Sequence, residues 1–190
     1  GDVWRPIFLI WTIMALRSFV GQTFITFLPI YYAGAGFSLL SIGTVVAIFS
    51  VAGAISGVLA GHLSDRVGYK PLFLFSHALA TPSLYLLLIL PGNWVYLSVF
   101  LAGFFLMATL PLGVTMAQEI APKGKSMVSS LMMGLAWGTG GMMAPGAGKL
   151  ADLFSIGPVL ASLAIIPLLT VGLIAMLPGR RARSPQPALG

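Results

Sequence analysis

"GHLSDRVGYKPL", residues 61–72, interrupts two long apolar runs and sets Asp65, Arg66 and Lys70 within six residues of one another. Elsewhere charge is sparse. Of the 190 residues, 58% are hydrophobic and 7% charged, and the mean hydropathy is +1.00. A soluble domain carries about a quarter charged residues. The chain therefore reads as a membrane protein, and this stretch as a polar connection between two spans.

Working outward, hydropathy separates six apolar stretches, 7–32, 40–62, 72–90, 95–119, 126–147 and 158–177. At 1.5 Å per residue each reaches across a hydrocarbon core of about 30 Å. Gly- and Pro-rich breaks divide them. The expected fold is all-α and polytopic: a transmembrane domain over 1–178, then a basic, Pro-rich tail over 179–190. The first stretch is too long for a signal-peptide core and holds Arg17 in its middle, so it counts as a permanent helix. Arg5, Arg66, Lys70, Lys123, Lys125, Arg180, Arg181 and Arg183 fall on one side of this topology and Lys149 on the other. That asymmetry places both termini in the cytoplasm of a multi-pass cell-membrane protein. Trp4, Tyr31, Tyr32, Trp94 and Tyr96 lie near span ends, where amphipathic rings favour the headgroup region.

Several function classes are excluded by what is present. With no cysteine, two histidines and four acids, disulfides, thiolate chemistry, a metal site and a redox cofactor are not expected. Ser64 and Asp65 are neighbours without a positioned histidine, and the glycine runs lack a P-loop Lys-Ser/Thr pattern, so no enzyme is expected. The net charge of +6 is scattered among apolar spans, which speaks against a nucleic-acid partner.

Gly61-His-Leu-Ser-Asp65 at the end of the second stretch has a counterpart, Gly148-Lys-Leu-Ala-Asp152, at the end of the fifth. An offset of three spans puts the copies on opposite sides of the membrane, as in an inverted three-plus-three repeat. Residues 61–72 resemble the signature loop of the major facilitator superfamily, G-x-L-(A/S)-D-R-x-G-(R/Y)-(R/K)-x-x-L, at its place between the second and third helices of a six-helix half. "APKGKSMVSSLMMG" is similar to the loop and helix start that follow the fourth helix of such a half. "GLAWGTGGMMAPGAG" resembles the glycine-rich fifth helix of antiporter members. The opening "WRPIFLIWTIMALRSFVGQTFITFLPIYY" resembles the start of the C-terminal half of fosmidomycin-resistance-like exporters. Together the resemblance covers residues 5–178. Family transporters usually have twelve helices, and this sequence has six stretches.

Gly53, Gly57 and Gly61 recur every four residues, a small-residue rail that permits close backbone approach, and Gly134, Gly138 and Gly141 form a comparable face. In family-like geometry these faces make the seam between two halves; the alternative is the general abundance of glycine in membrane helices. The resemblance implies a gating latch of Gly61, Asp65, Arg66, Gly68, Lys70 and Glu119. In it Asp65 faces a partner's helix N-terminus near Ser126, and Arg66 and Lys70 pair with acids such as Glu119. Arg17 falls about 15 Å into the first stretch, where an arginine needs protein or water around it. Its planar fork suits phosphate, phosphonate or carboxylate. Arg17, Gln22 and Thr26 are thus candidate substrate contacts, with a structural contact to backbone carbonyls as the alternative for Arg17. His77 is a candidate for proton coupling or for buried polar packing. The function expected is half of a secondary active transporter, a proton-coupled antiporter exporting small polar or anionic compounds. It would work in the bilayer with a second six-helix half, either another copy of itself or the rest of a longer transporter. The alternative is a six-helix membrane assembly protein that moves no solute.

Overall fold

A single residue separates the second helix from the third. Gly68 adopts φ 97°, a left-handed conformation that glycine enters without a Cβ penalty, and the chain reverses there without a loop. Asp65 and Arg66, expected in a connection, instead form the last turn of a helix, and Lys70 lies in the first turn of the next.

The computed structural model describes residues 3–177; the tail 179–190, with Arg180, Arg181 and Arg183, lies outside the described residues. The helices are α1 (Trp4–Gly34), α2 (Leu39–Val67), α3 (Tyr69–Ile89), α4 (Trp94–Ile120), α5 (Lys125–Ser130), α6 (Trp137–Phe154), α7 (Ile156–Leu163) and α8 (Ile166–Ala175). A 3₁₀ turn, Pro122–Gly124, precedes α5, and a six-residue π-helical segment, Leu131–Ala136, joins α5 to α6. Ser38 caps α2, its hydroxyl accepting the Ser41 N–H at 3.2 Å, which satisfies one of the orphan donors of a helix start.

Five helical stretches are long and apolar enough to cross a membrane: α1, α2, α3, α4 and the run Ile156–Ala175 that contains α7 and α8. The run 125–154 is helical throughout, but glycines, Lys149 and Asp152 dilute its apolar character and the π segment divides it. Between α7 and α8 the chain turns at Ala164 and Ile165, and Pro167 occupies the first turn of α8, where its missing N–H is not needed.

α1 and α4 form the centre. α4 packs α2 on one flank and α3 on the other, α6 lies along α1, and α8 bridges α1 and α3. Glycines set two of these crossings. A Cβ on Gly103 of α4 would stand 2.5 Å from the Phe49 carbonyl oxygen of α2, and one on Gly140 of α6 would stand 2.6 Å from the Phe19 nitrogen of α1. Neither position accepts a larger residue without the helices separating. Large apolar side chains such as Leu40, Val58, Phe75, Trp94, Met142 and Leu169 are exposed on the outside, as a bilayer-facing surface requires.

The core divides in two. One apolar cluster holds Val20, Phe24 and Leu28 with Leu84, Leu87 and Leu106; the other holds Ile7, Ile10 and Met14 with Phe73, Leu112 and Met116. Between them in register, on every long helix of the centre, come buried polar residues: Arg17 and Ser18 on α1, Ser56 on α2, Ser76 and His77 on α3, Thr109 on α4 and Thr170 on α8. The bundle thus carries a polar layer at mid-depth.

Candidate functional site around a buried arginine

Arg17 lies about 20 Å along α1, near the middle of its 31 residues, and is 3% exposed. Its guanidinium reaches α4 just before Pro111. That proline has no N–H to give the Met107 carbonyl four residues earlier, whereas the carbonyl that Arg17 meets is the preceding one, of Leu106. Arg17 Nε donates to Thr109 Oγ1 at 2.9 Å and to the Leu106 carbonyl at 3.3 Å. Arg17 Nη2 donates to the same carbonyl at 3.3 Å and to Met107 Sδ at 3.2 Å. Thr109 in turn donates its hydroxyl to the Leu106 carbonyl at 2.5 Å. Every one of these partners is neutral. Asp65 and Glu119 lie in terminal turns of α2 and α4, and Asp152 in the last turn of α6, so the positive charge at mid-depth has no carboxylate partner among the described residues.

His77 sits in the same layer, fully buried, edge-on to Phe73 with ring centroids 4.5 Å apart. Its Nδ1–H donates to the Phe73 carbonyl at 2.9 Å, and Nε2 has no partner. A buried acceptor left unpaired costs about 1–3 kcal/mol, which marks the position as more than filling. Thr23 Oγ1 and Trp11 Nε1 are likewise sealed and unpaired. Thr81 accepts the Leu168 N–H at 3.0 Å, serving a backbone donor at the start of α8 and holding α3 to it.

Gln22 and Thr26 do not join Arg17. At about 100° per residue they project roughly 140° and 180° away around α1; Gln22 is half-buried and Thr26 exposed. They belong to the open side of the helix, whereas Arg17 is tucked between α1 and α4.

At the end of the bundle marked by Gly68, the expected ion pair between Lys70 and Glu119 is not formed. Lys70 Nζ donates to the carbonyls of Ala175, at 3.1 Å, and of Leu177. The last carbonyls of α8 have no helical donors and carry partial negative charge, so a lysine within reach caps them. The Tyr69 hydroxyl meets Asp65 Oδ1 at 3.4 Å, while Asp65, Arg66 and Glu119 are exposed. The glycine faces are open: a Cβ on Gly57, Gly61, Gly134, Gly138 or Gly141 would meet nothing within 4 Å. Gly53 differs, since a Cβ there would lie 2.7 Å from Met107 Cγ; it belongs to the α2–α4 contact inside this chain.

Sequence reasoning passed over Thr109, Gly103 and Gly140. Thr109 in the middle of a span was a usable signal, because a hydroxyl at that depth offers an acceptor to a donor on a neighbouring helix. Gly140 had none, being one glycine among many. A groove of about 450 Å³ runs beside Phe27, Lys149 and Asp152, far along α1 from Arg17.

Residues 10–189 match the family described as Major Facilitator Superfamily. An uncharacterized MFS-type transporter, YfnC, of Bacillus subtilis is 32% identical over 130 residues, which are 68% of this chain and 31% of that protein. The fosmidomycin resistance protein of Escherichia coli is 32% identical over 133 residues, 70% of this chain and 32% of its own length. The matched region thus spans about a third of either relative.

Proposed function

Given that the chain belongs to the major facilitator superfamily, whose members are transporters and not enzymes, we propose that it forms one half of a secondary active transporter working by alternating access. The substrate is a small polar or anionic compound and the direction is export, coupled to protons. A relative named for fosmidomycin resistance supports efflux. In this reading the run 125–154 is the fifth of six spans, the six form an inverted three-plus-three repeat, and both termini are cytoplasmic. A second six-helix half closes over the open glycine faces of α2 and of the run 125–154. Gln22 and Thr26, on the open side of α1, add polar contacts, His77 carries the coupled proton, and Asp65 latches the two halves when one mouth is closed.

The observation that carries the proposal is Arg17: a positive charge at mid-span, held by a carbonyl, a hydroxyl and a thioether. A buried cation without a counter-ion draws one from its surroundings, and a passing anionic group supplies it. The test is flux of an anionic solute into proteoliposomes under an imposed pH gradient. Gradient-driven flux that Arg17→Met abolishes is the expected result. Flux that is indifferent to both the gradient and Arg17→Met would overturn the proposal.

A further inference from the structure

We propose that Arg17 meets its anion through one nitrogen only, Nη1, and that Thr109 is the positioning residue that imposes this. The inference rests on the reading of Arg17 as an anion site and specifies how that site recognises its ligand. A guanidinium has five N–H groups, one on Nε and two on each terminal nitrogen, and it grips two oxygens only when two adjacent nitrogens each have an N–H to give. Here the edge formed by Nε and Nη2 is turned wholly onto α4. Nε serves Thr109 Oγ1 and the Leu106 carbonyl, and Nη2 serves that carbonyl and Met107 Sδ. With Nη2 committed, neither adjacent pair is open.

Nη1 is different. No bond to it is formed among the described residues, yet it is not one of the sealed unpaired atoms, which are Trp11 Nε1, Thr23 Oγ1 and His77 Nε2. It therefore keeps a small accessible surface, the residue as a whole being 3% exposed. Thr109 fixes this arrangement because its own proton points at the Leu106 carbonyl. A lone pair is then left toward Arg17 Nε, and the hydroxyl has no proton to offer a ligand. The site recognises negative charge on a single oxygen, as a carboxylate or a phosphonate each present, and is indifferent to the spacing of a second oxygen. The two-pronged recognition suggested by the arginine fork in the sequence is taken up by the protein itself.

The experiment uses the full chain, with ¹⁵N-labelled arginine, in lipid nanodiscs titrated with methylphosphonate. One terminal nitrogen of Arg17 should shift while Nε stays in place. Arg17→Lys should bind within about tenfold of the parent, because an ammonium also offers one nitrogen, whereas Arg17→Met should lose roughly a hundredfold. Thr109→Val should leave Nε with only its longer bond to the Leu106 carbonyl, so that Nε shifts more on titration than in the parent and affinity changes by up to about tenfold; Thr109→Ser should restore the parent pattern. Nε and both terminal nitrogens shifting together in the parent would overturn the inference. So would Arg17→Lys binding as weakly as Arg17→Met, a comparison that stands even if Thr109→Val does not fold. A silent titration of the parent would remove the anion site itself, and this inference with it.

Discussion

His77 shows what the polar layer costs. Its Nε2 is enclosed without a donor, and Phe73 and the surrounding apolar side chains give it none. Replacing the imidazole by a phenyl ring, which is somewhat larger, removes an unpaired acceptor and keeps the edge-on contact with Phe73. His77→Phe is therefore expected to leave stability unchanged or raise it by about 1 kcal/mol, measured by unfolding in detergent, while abolishing proton-driven flux. A variant that unfolds more easily and still couples to the gradient would make His77 a packing residue. The sequence identified both His77 and Arg17 as unusual because a charge or imidazole at that depth is rare in any membrane helix. It did not reveal where they point, since Arg17 could be assigned its acceptors only once α4 lay beside α1.

The run 125–154 carries the element-scale lesson. From Val128 to Ala144 its buried residues, Val128, Met132, Ala136, Gly140 and Ala144, recur every four positions, and Ala147 follows three later. On a regular α-helix a four-residue repeat drifts by about 40° per step, and the stripe would leave the core. The wider π segment Leu131–Ala136 takes back part of that drift. Carbonyls around the junction find side-chain donors: Thr139 Oγ1 donates to Leu135 and Ala136, at 2.8 and 3.1 Å, and Ser18 Oγ to Trp137 at 3.4 Å. On one side α5 is tied to α4, Gln118 Nε2 donating to Ser129 Oγ at 2.6 Å; on the other, α6 is held to α1 through Gly140. Deleting Met133, which is exposed, should return the segment to α-helix and leave the facing of α5 nearly unchanged, because the π segment absorbs about one extra residue. In this cysteine-free chain a Gln118→Cys, Ser129→Cys pair should then cross-link both in the parent background and in the deletion. Loss of the cross-link in the deletion would show that the π segment does not set the register.

For the molecule as a whole, the open glycines are the feature that calls for a partner. Gly57 has space around it, so Gly57→Leu should fold as the parent does, with the same helicity and melting behaviour, yet fail to pair with a second half. Energy transfer between labelled chains or halves at rising dilution in lipid measures this. Pairing unaffected by Gly57→Leu would remove α2 from the seam. Gly103→Leu and Gly140→Leu provide the contrast, because each collides with backbone inside the chain and should impair folding itself.

Five of the six apolar stretches, the all-helical class and the family were legible in the sequence, because a bilayer imposes a length and a polarity on every segment that crosses it. The signature at 61–72 was legible for a local reason: Gly68 supplies a conformation that other residues adopt at a cost. What only the tertiary structure decided are the pairings. Lys70 went to the end of α8 and not to Glu119, Gly53 to Met107 and not to an outer seam, and Arg17 to the Leu106 carbonyl and Thr109. Spacing along one helix fixes which side chains share a face, but the choice of acceptor depends on which helix lies opposite and on which hydroxyls and carbonyls it presents there, as at a helix end.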